Sequence, residues 1–148
     1  MSRLFTIGYE RASLAAFTDT LTHARVSVLV DVRLSPHSRR REFALKHLGA
    51  GMAERGIRYL SRPDLGTPPP AQAAAKAGDM ATFERLYREH LDTAVARDAL
   101  AELAGLVEGE VACVMCYERD PKRCHRRLIA ETLRRRDGIL SQDLLPPR

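Results

Sequence analysis

Val26-Ser27-Val28-Leu29-Val30-Asp31-Val32-Arg33 is β-branched and almost continuously apolar until two charges close it. A strand with one wet face alternates apolar and polar residues. An unbroken apolar run is how a strand covered on both faces reads. Such strands belong to parallel sheets fed by crossover helices, so this stretch predicts an α/β domain. Upstream, Leu4 to Tyr9 is short, apolar and ends in a Gly-Tyr turn, the mark of a first strand. Between the two, Ser13 is placed to cap a helix carrying Leu14, Phe17 and Leu21 at helical spacing.

The same alternation continues downstream. Leu34 to Arg41 is a loop broken by Pro36, and Phe43, Leu45, Leu48 and Met52 predict a helix ended near Gly56. Ile57 to Leu60 reads as a third strand. Arg62 to Pro70 is a proline-stiffened loop. An Ala-rich run follows to Ala77, then a helix capped by Asp79 or Thr82 with Phe83, Leu86, Tyr87 and His90 near one face, then a helix over Thr93 to Val107. Val111 to Cys116 is a strand, Cys124 to Arg136 a helix with Leu128, Ile129 and Leu133 inward, and Ile139 to Leu144 a last strand. The predicted order is β-α-β-α-β-α-α-β-α-β. It predicts a three-layer α/β/α sandwich, a Rossmann-like, mostly parallel sheet of four or five strands with right-handed crossovers.

Composition bounds the class. The 148 residues suit one α/β domain over 1–148, with 45% hydrophobic and 29% charged residues. No apolar run approaches the roughly 20 residues of a membrane span, and no membrane partner is expected. The first ten residues lack the apolar core of a signal peptide. With an odd count of three cysteines, Cys113, Cys116 and Cys124, this predicts a reducing cytoplasm. The net charge of +5 is unevenly spread. Arg33 to Leu48 carries five basic residues and one acid, and Glu118 to Arg148 nine basic and five acidic, whereas Asp64 to Glu110 has nine acids and four bases. Clustered arginine predicts an anionic partner, a phosphate-bearing small molecule or nucleic acid.

Ligands of parallel α/β sheets bind beyond the carboxyl ends of the strands. After the first strand, Gly8 permits a tight turn and Tyr9 and Glu10 offer a hydroxyl and a carboxylate. After the second, Arg33 to Arg41 brings two hydroxyls, the His37 imidazole and four guanidinium groups. Arginine forks match phosphate and carboxylate oxygens; the competing reading is a solvated loop with Asp31 paired to an arginine. After the fourth, Cys116 to Arg127 leaves a buried strand and enters a helix whose N-terminal amides favour anions. A thiol at such a helix start beside arginine has a lowered pKa, which fits Cys124. Glu118 is a candidate acid, base or Arg126 partner, and His125 a proton carrier near neutral pH.

Three chemistries compete for this last loop. The Cys-to-Arg spacing of cysteine phosphatases is not met: Cys116 to Arg123 is one residue too long, and Ala130 holds the corresponding place after Cys124. A rhodanese-like loop fails similarly. Zinc on Cys113-x-x-Cys116 with Cys124-His125 is disfavoured because the odd offset along a strand sends Cys113 and Cys116 to opposite faces. No metal ligand set is therefore expected. The third reading, a binding crevice held by Arg126, Arg123 and Glu118, is preferred.

These segments recur together in one family. The chain resembles the bacterial and archaeal proteins grouped as domain of unknown function 488. The match lies in Thr6-Ile7-Gly8-Tyr9-Glu10 with Ser13 and Phe17, Val30-Asp31-Val32-Arg33 with Pro36, Ser38, Arg39 and Phe43, Gly56-Ile57-Arg58-Tyr59 with Leu65-Gly66, and Met115-Cys116 with Glu118, Pro121, Cys124-His125-Arg126 and Leu128-Ile129-Ala130. One departure is Leu65-Gly66-Thr67, where members often carry Leu-Gly-Gly. The resemblance implies a compact α/β domain and no particular reaction or cofactor. It singles out Tyr9, Glu10, Arg33, Ser38, Arg39, Glu118, Cys124, His125 and Arg126.

Glu10, Glu118, Cys124 and His125 are thus the candidate catalytic residues. Tyr9, Arg33, Ser38, Arg39 and Arg126 are the candidate ligand-binding ones. The expected function is binding of a nucleotide, nucleoside or sugar phosphate, with hydrolase or transferase chemistry. The alternative is a nucleic-acid-binding or regulatory module on the basic segments Arg33–Arg41 and Arg119–Arg136. Scarce aromatics and the absence of Trp speak against single-strand stacking.

Overall fold

The computed structural model describes residues 3–36 and 38–148; His37 lies outside them. Five strands, β1 (Arg3–Gly8), β2 (Val28–Asp31), β3 (Arg58–Ser61), β4 (Ala112–Cys116) and β5 (Leu140–Leu144), form one sheet in the order β3-β2-β4-β1-β5. Every pairing is parallel. Antiparallel neighbours need only a hairpin, but parallel ones need a crossover. The helices α1 (Leu14–His23), α2 (Leu45–Glu54), α3 (Pro69–Lys76), α4 (Met80–Leu91), α5 (Ala94–Gly109) and α6 (Arg126–Asp137) supply those crossovers.

The three central strands are the apolar ones, and the residues of β2 and β4 are buried throughout. Alternation along β4 sends Cys113 and Met115 to one core with Phe17, Leu21, Phe43, Leu48 and Met52. Ala112, Val114 and Cys116 go to the other, with Phe83, Tyr87, Leu100, Leu103, Leu128 and Ile129. Helices α1 and α2 therefore cover one face and α3 to α6 the other. The sandwich predicted from the apolar run of β2 is present. The opposite faces predicted for Cys113 and Cys116 are present as well.

Local signals behave as expected at the caps. Ser13 Oγ accepts from the amide of Ala16, Asp79 from that of Thr82 and Thr93 from that of Ala96. Two details differ from expectation. The Ala-rich run is a full helix, α3, entered through Pro69 and Pro70, so three helices separate β3 from β4. Proline is tolerated there because the first amides of a helix have no partner to lose. Helix α6 begins at Arg126 and not at Cys124, because Pro121 to Arg123 forms a separate 3-10 turn.

Neighbouring strands β1 and β4 send their chains to opposite faces, β1 into α1 and β4 into α6. That divergence opens a crevice beyond the carboxyl ends of the strands, where ligands of open α/β sheets bind. No helix is long and apolar enough to cross a membrane among the described residues.

Candidate functional site

A crevice of about 830 Å³ lies at this switch point, a volume typical of small-molecule sites. Tyr9, Arg33, Ser38, Arg39, Arg40, Thr67, Lys76, Cys116, Glu118, Arg123 and His125 are among the residues lining it. Six of the nine site residues expected from sequence line it: Tyr9, Arg33, Ser38, Arg39, Glu118 and His125.

One wall is a closed polar network. Asp31, at the end of β2, is fully buried, and Arg33 is 7% exposed. The guanidinium grips Asp31 through Nε at 2.9 Å and Nη2 at 2.6 Å, and the Arg33 amide adds a bond at 3.1 Å. Arg33 Nη1 donates to the Tyr9 hydroxyl at 3.3 Å, and Tyr59 donates its hydroxyl proton to Asp31. Burial works against the Arg33 charge, but the Asp31 carboxylate outweighs it and raises the Arg33 pKa. Burial, then the Asp31 charge, push the Tyr59 phenol upward. Tyr9 is held in place by stacking on Phe43, with ring centroids 4.5 Å apart. Arg33 is thus neutralised by Asp31, the pairing that competed with ligand binding at the level of sequence. Tyr59→Phe removes one bond to a buried carboxylate without opening a large cavity. The expected loss is about 1.5–3 kcal/mol in denaturant unfolding.

The opposite wall is built from the end of β4 and the start of α6. The sulfurs of Cys116 and Cys124 stand at disulfide-bonding distance, with their Cα atoms 7.5 Å apart. This corrects the reading of Cys124 as a free, low-pKa thiol at a helix start: it is buried, precedes α6 by two residues and faces Cys116. His125 Nε2 lies 2.8 Å from the Val32 carbonyl. A carbonyl only accepts, so that nitrogen carries the proton and Nδ1 keeps its lone pair. Burial lowers the His125 pKa to about 4, so the ring is neutral near pH 7. This overturns its expected role as a proton carrier near neutral pH. Glu118 Oε2 lies 3.6 Å from Cys116 Sγ, and burial raises its pKa.

Arg126 and Glu10 stand apart from the crevice. Arg126 is 0% exposed and underlies the wall. It donates to the Glu118 carbonyl, to the Arg119 carbonyl at 3.1 Å, to Cys116 Sγ at 3.0 Å and to Thr6 Oγ1 at 3.3 Å. Its contact with Glu118 runs through the backbone rather than the carboxylate, and burial lowers its pKa. Glu10 accepts from the Arg119 amide at 3.0 Å and lines a separate hollow with Arg11, Asp120 and Arg148. Ser38 caps its own loop, accepting from the Arg40 amide at 3.1 Å. Sequence reasoning missed Thr67, Gln72 and Lys76, which follow β3 and close the crevice from its side. The rule used for the other strands also covered β3, but the proline-rich stretch there reads only as a stiff loop.

No curated protein matches the chain, and no solved structure does. A family model does: the domain of unknown function DUF488 matches residues 13–133, which span β2, β3, β4 and the whole of both crevice walls except Tyr9. The match covers well over half of the sequence, so the chain belongs to the family of domain of unknown function DUF488.

Proposed function

We propose that the crevice binds a phosphate-bearing small molecule, such as a nucleotide or a sugar phosphate. The observation that carries this reading is a set of three cations. Arg39, Lys76 and Arg123 are exposed, line the crevice and join no ion pair among the described residues. Two other arginines lining the crevice are already paired, Arg33 with Asp31 and Arg40 with Glu42. Guanidinium groups left open around a concave site suit phosphate oxygens, which they meet in bidentate fashion. The Tyr9 and Phe43 stack and the ordered Asp31–Arg33 pair give the ligand a rigid wall. Pre-organisation of this kind limits the entropy lost on binding.

Thermal unfolding with a panel of nucleotides, nucleosides, sugar phosphates, inorganic phosphate and a short oligonucleotide tests the reading at low and high salt. A ligand at 100 times its dissociation constant adds about 2.7 kcal/mol, a rise of roughly 5–10 °C for a chain of this size. A nucleotide or sugar phosphate is expected to stabilise at both salts, and its parent nucleoside is not. Arg39→Ala and Arg123→Ala are each expected to weaken that binding about tenfold to hundredfold without lowering the ligand-free Tm. Stabilisation by the oligonucleotide alone, lost at high salt, overturns the reading in favour of a nucleic-acid surface.

A further inference from the structure

We propose that Cys116, Cys124 and His125 form a zinc site whose fourth position opens into the crevice. The three side chains bring their ligand atoms within 4.8 Å of one another, and all three residues are buried. This set differs from the one excluded at the level of sequence, since it omits Cys113 on the far face of the sheet. Two thiolates and an imidazole are the donors that borderline-soft Zn²⁺ takes. The imidazole is already in its ligating form. Its Nε2–H is held by the Val32 carbonyl at 2.8 Å, and its Nδ1 lone pair faces Cys124 Sγ at 3.6 Å. Such a bond to the non-ligating nitrogen is what orients metal-binding histidines. Arg126 Nη1, 3.0 Å from Cys116 Sγ, adds a buried N–H donor to one sulfur.

The backbone spacing favours an ion over a direct bond. The 7.5 Å between the Cα atoms of Cys116 and Cys124 exceeds the usual disulfide span of about 4.4–6.8 Å. An ion bonded to each sulfur at about 2.3 Å holds the sulfurs apart, which suits this wider Cα spacing once the two side chains turn out of direct contact. Cys116 and His125 both line the crevice, so the coordination position left by three protein ligands faces it. Catalytic zinc sites keep three protein ligands and one open place, whereas structural sites are closed. Loading from the dithiol releases one proton from each thiol as Zn²⁺ binds both sulfurs. Loading from the disulfide first requires a thiol or phosphine reductant, which delivers two electrons to the S–S bond and is itself oxidised.

The test is anaerobic titration of the full, phosphine-reduced chain with Co²⁺, followed by displacement with Zn²⁺. The expected result is one equivalent of Co²⁺, thiolate-to-cobalt charge-transfer absorption, tetrahedral ligand-field bands, and release of about two protons per ion. Cys124→Ser and His125→Asn are each expected to weaken Zn²⁺ binding by more than about a hundredfold, and Cys113→Ala to leave it unchanged. Should those variants unfold, alkylation of the wild-type chain decides. Bound Zn²⁺ is expected to protect Cys116 and Cys124 and slow their oxidation to a disulfide. Titration without thiolate charge transfer overturns the proposal, as does a pair that oxidises equally fast with and without Zn²⁺. The latter outcome marks a redox dithiol. The site stands on its own geometry, so failure here leaves the phosphate-panel result intact.

Discussion

Gly8→Ala is expected to cost more than about 3 kcal/mol in denaturant unfolding, a large share of the 5–15 kcal/mol that holds a typical domain together. A methyl group at Gly8 would collide with the backbone carbonyl of Glu118, lying 2.5 Å from its carbon, and 2.8 Å from Arg126 Nη1. Overpacking usually costs about 1–3 kcal/mol because side chains yield. Here the obstacle is backbone, and it is pinned from two sides. The Tyr9 and Glu10 amides donate to the carbonyls of Cys116 and Tyr117, and Arg126 grips the Glu118 carbonyl from below. Relief of the clash pulls the 117–125 loop away from β1 and dismantles the crevice wall. A stability within about 0.5 kcal/mol of the parent would show that this loop is not packed against Gly8. By contrast, a methyl added at Gly105 on α5 meets nothing within 4 Å, so Gly105→Ala serves as a control expected to be neutral or stabilising.

Arg126→Met is expected to lower stability by about 3–5 kcal/mol, read by the same unfolding measurement. Methionine keeps the apolar stem but removes every donor. The carbonyls of Glu118 and Arg119 and the hydroxyl of Thr6 lose a buried partner, and each orphaned group costs about 1–3 kcal/mol. Arg126→Lys is expected to recover only part of the loss, because one ammonium does not reach partners spread around a planar fork. A variant that kept full stability but lost phosphate-ligand binding would restore Arg126 to the ligand-binding role expected from sequence.

Much of the fold was legible because it rests on local chemistry. The apolar run of β2 announced a strand covered on both faces, and the Ser13 and Asp79 caps marked helix starts. The order of strands in the sheet was not legible, since it depends on which edges pair after the crossovers form. The site was legible as a set of segments. Tyr9, Arg33, Ser38, Arg39, Glu118 and His125 do converge, because every strand is parallel and its following loop emerges at the same end. Their individual roles were less so. Arg33 and Arg126 look alike as arginines after strands, but one is neutralised by Asp31 and the other is sealed beneath the wall.

Sequence alone determined that this chain builds a parallel sheet between helices, and that polar residues gather where the strands end. Periodicity and capping act over a few residues, so a linear reading captures them. Only the tertiary structure decided which charges remain available. Arg39, Lys76 and Arg123 line the crevice and join no ion pair among the described residues, and two cysteines eight residues apart meet at a histidine whose Nδ1 lies beside Cys124. Partner choice and burial depend on groups distant in sequence, such as Asp31 for Tyr59 or Val32 for His125, and only the assembled sheet brings those together.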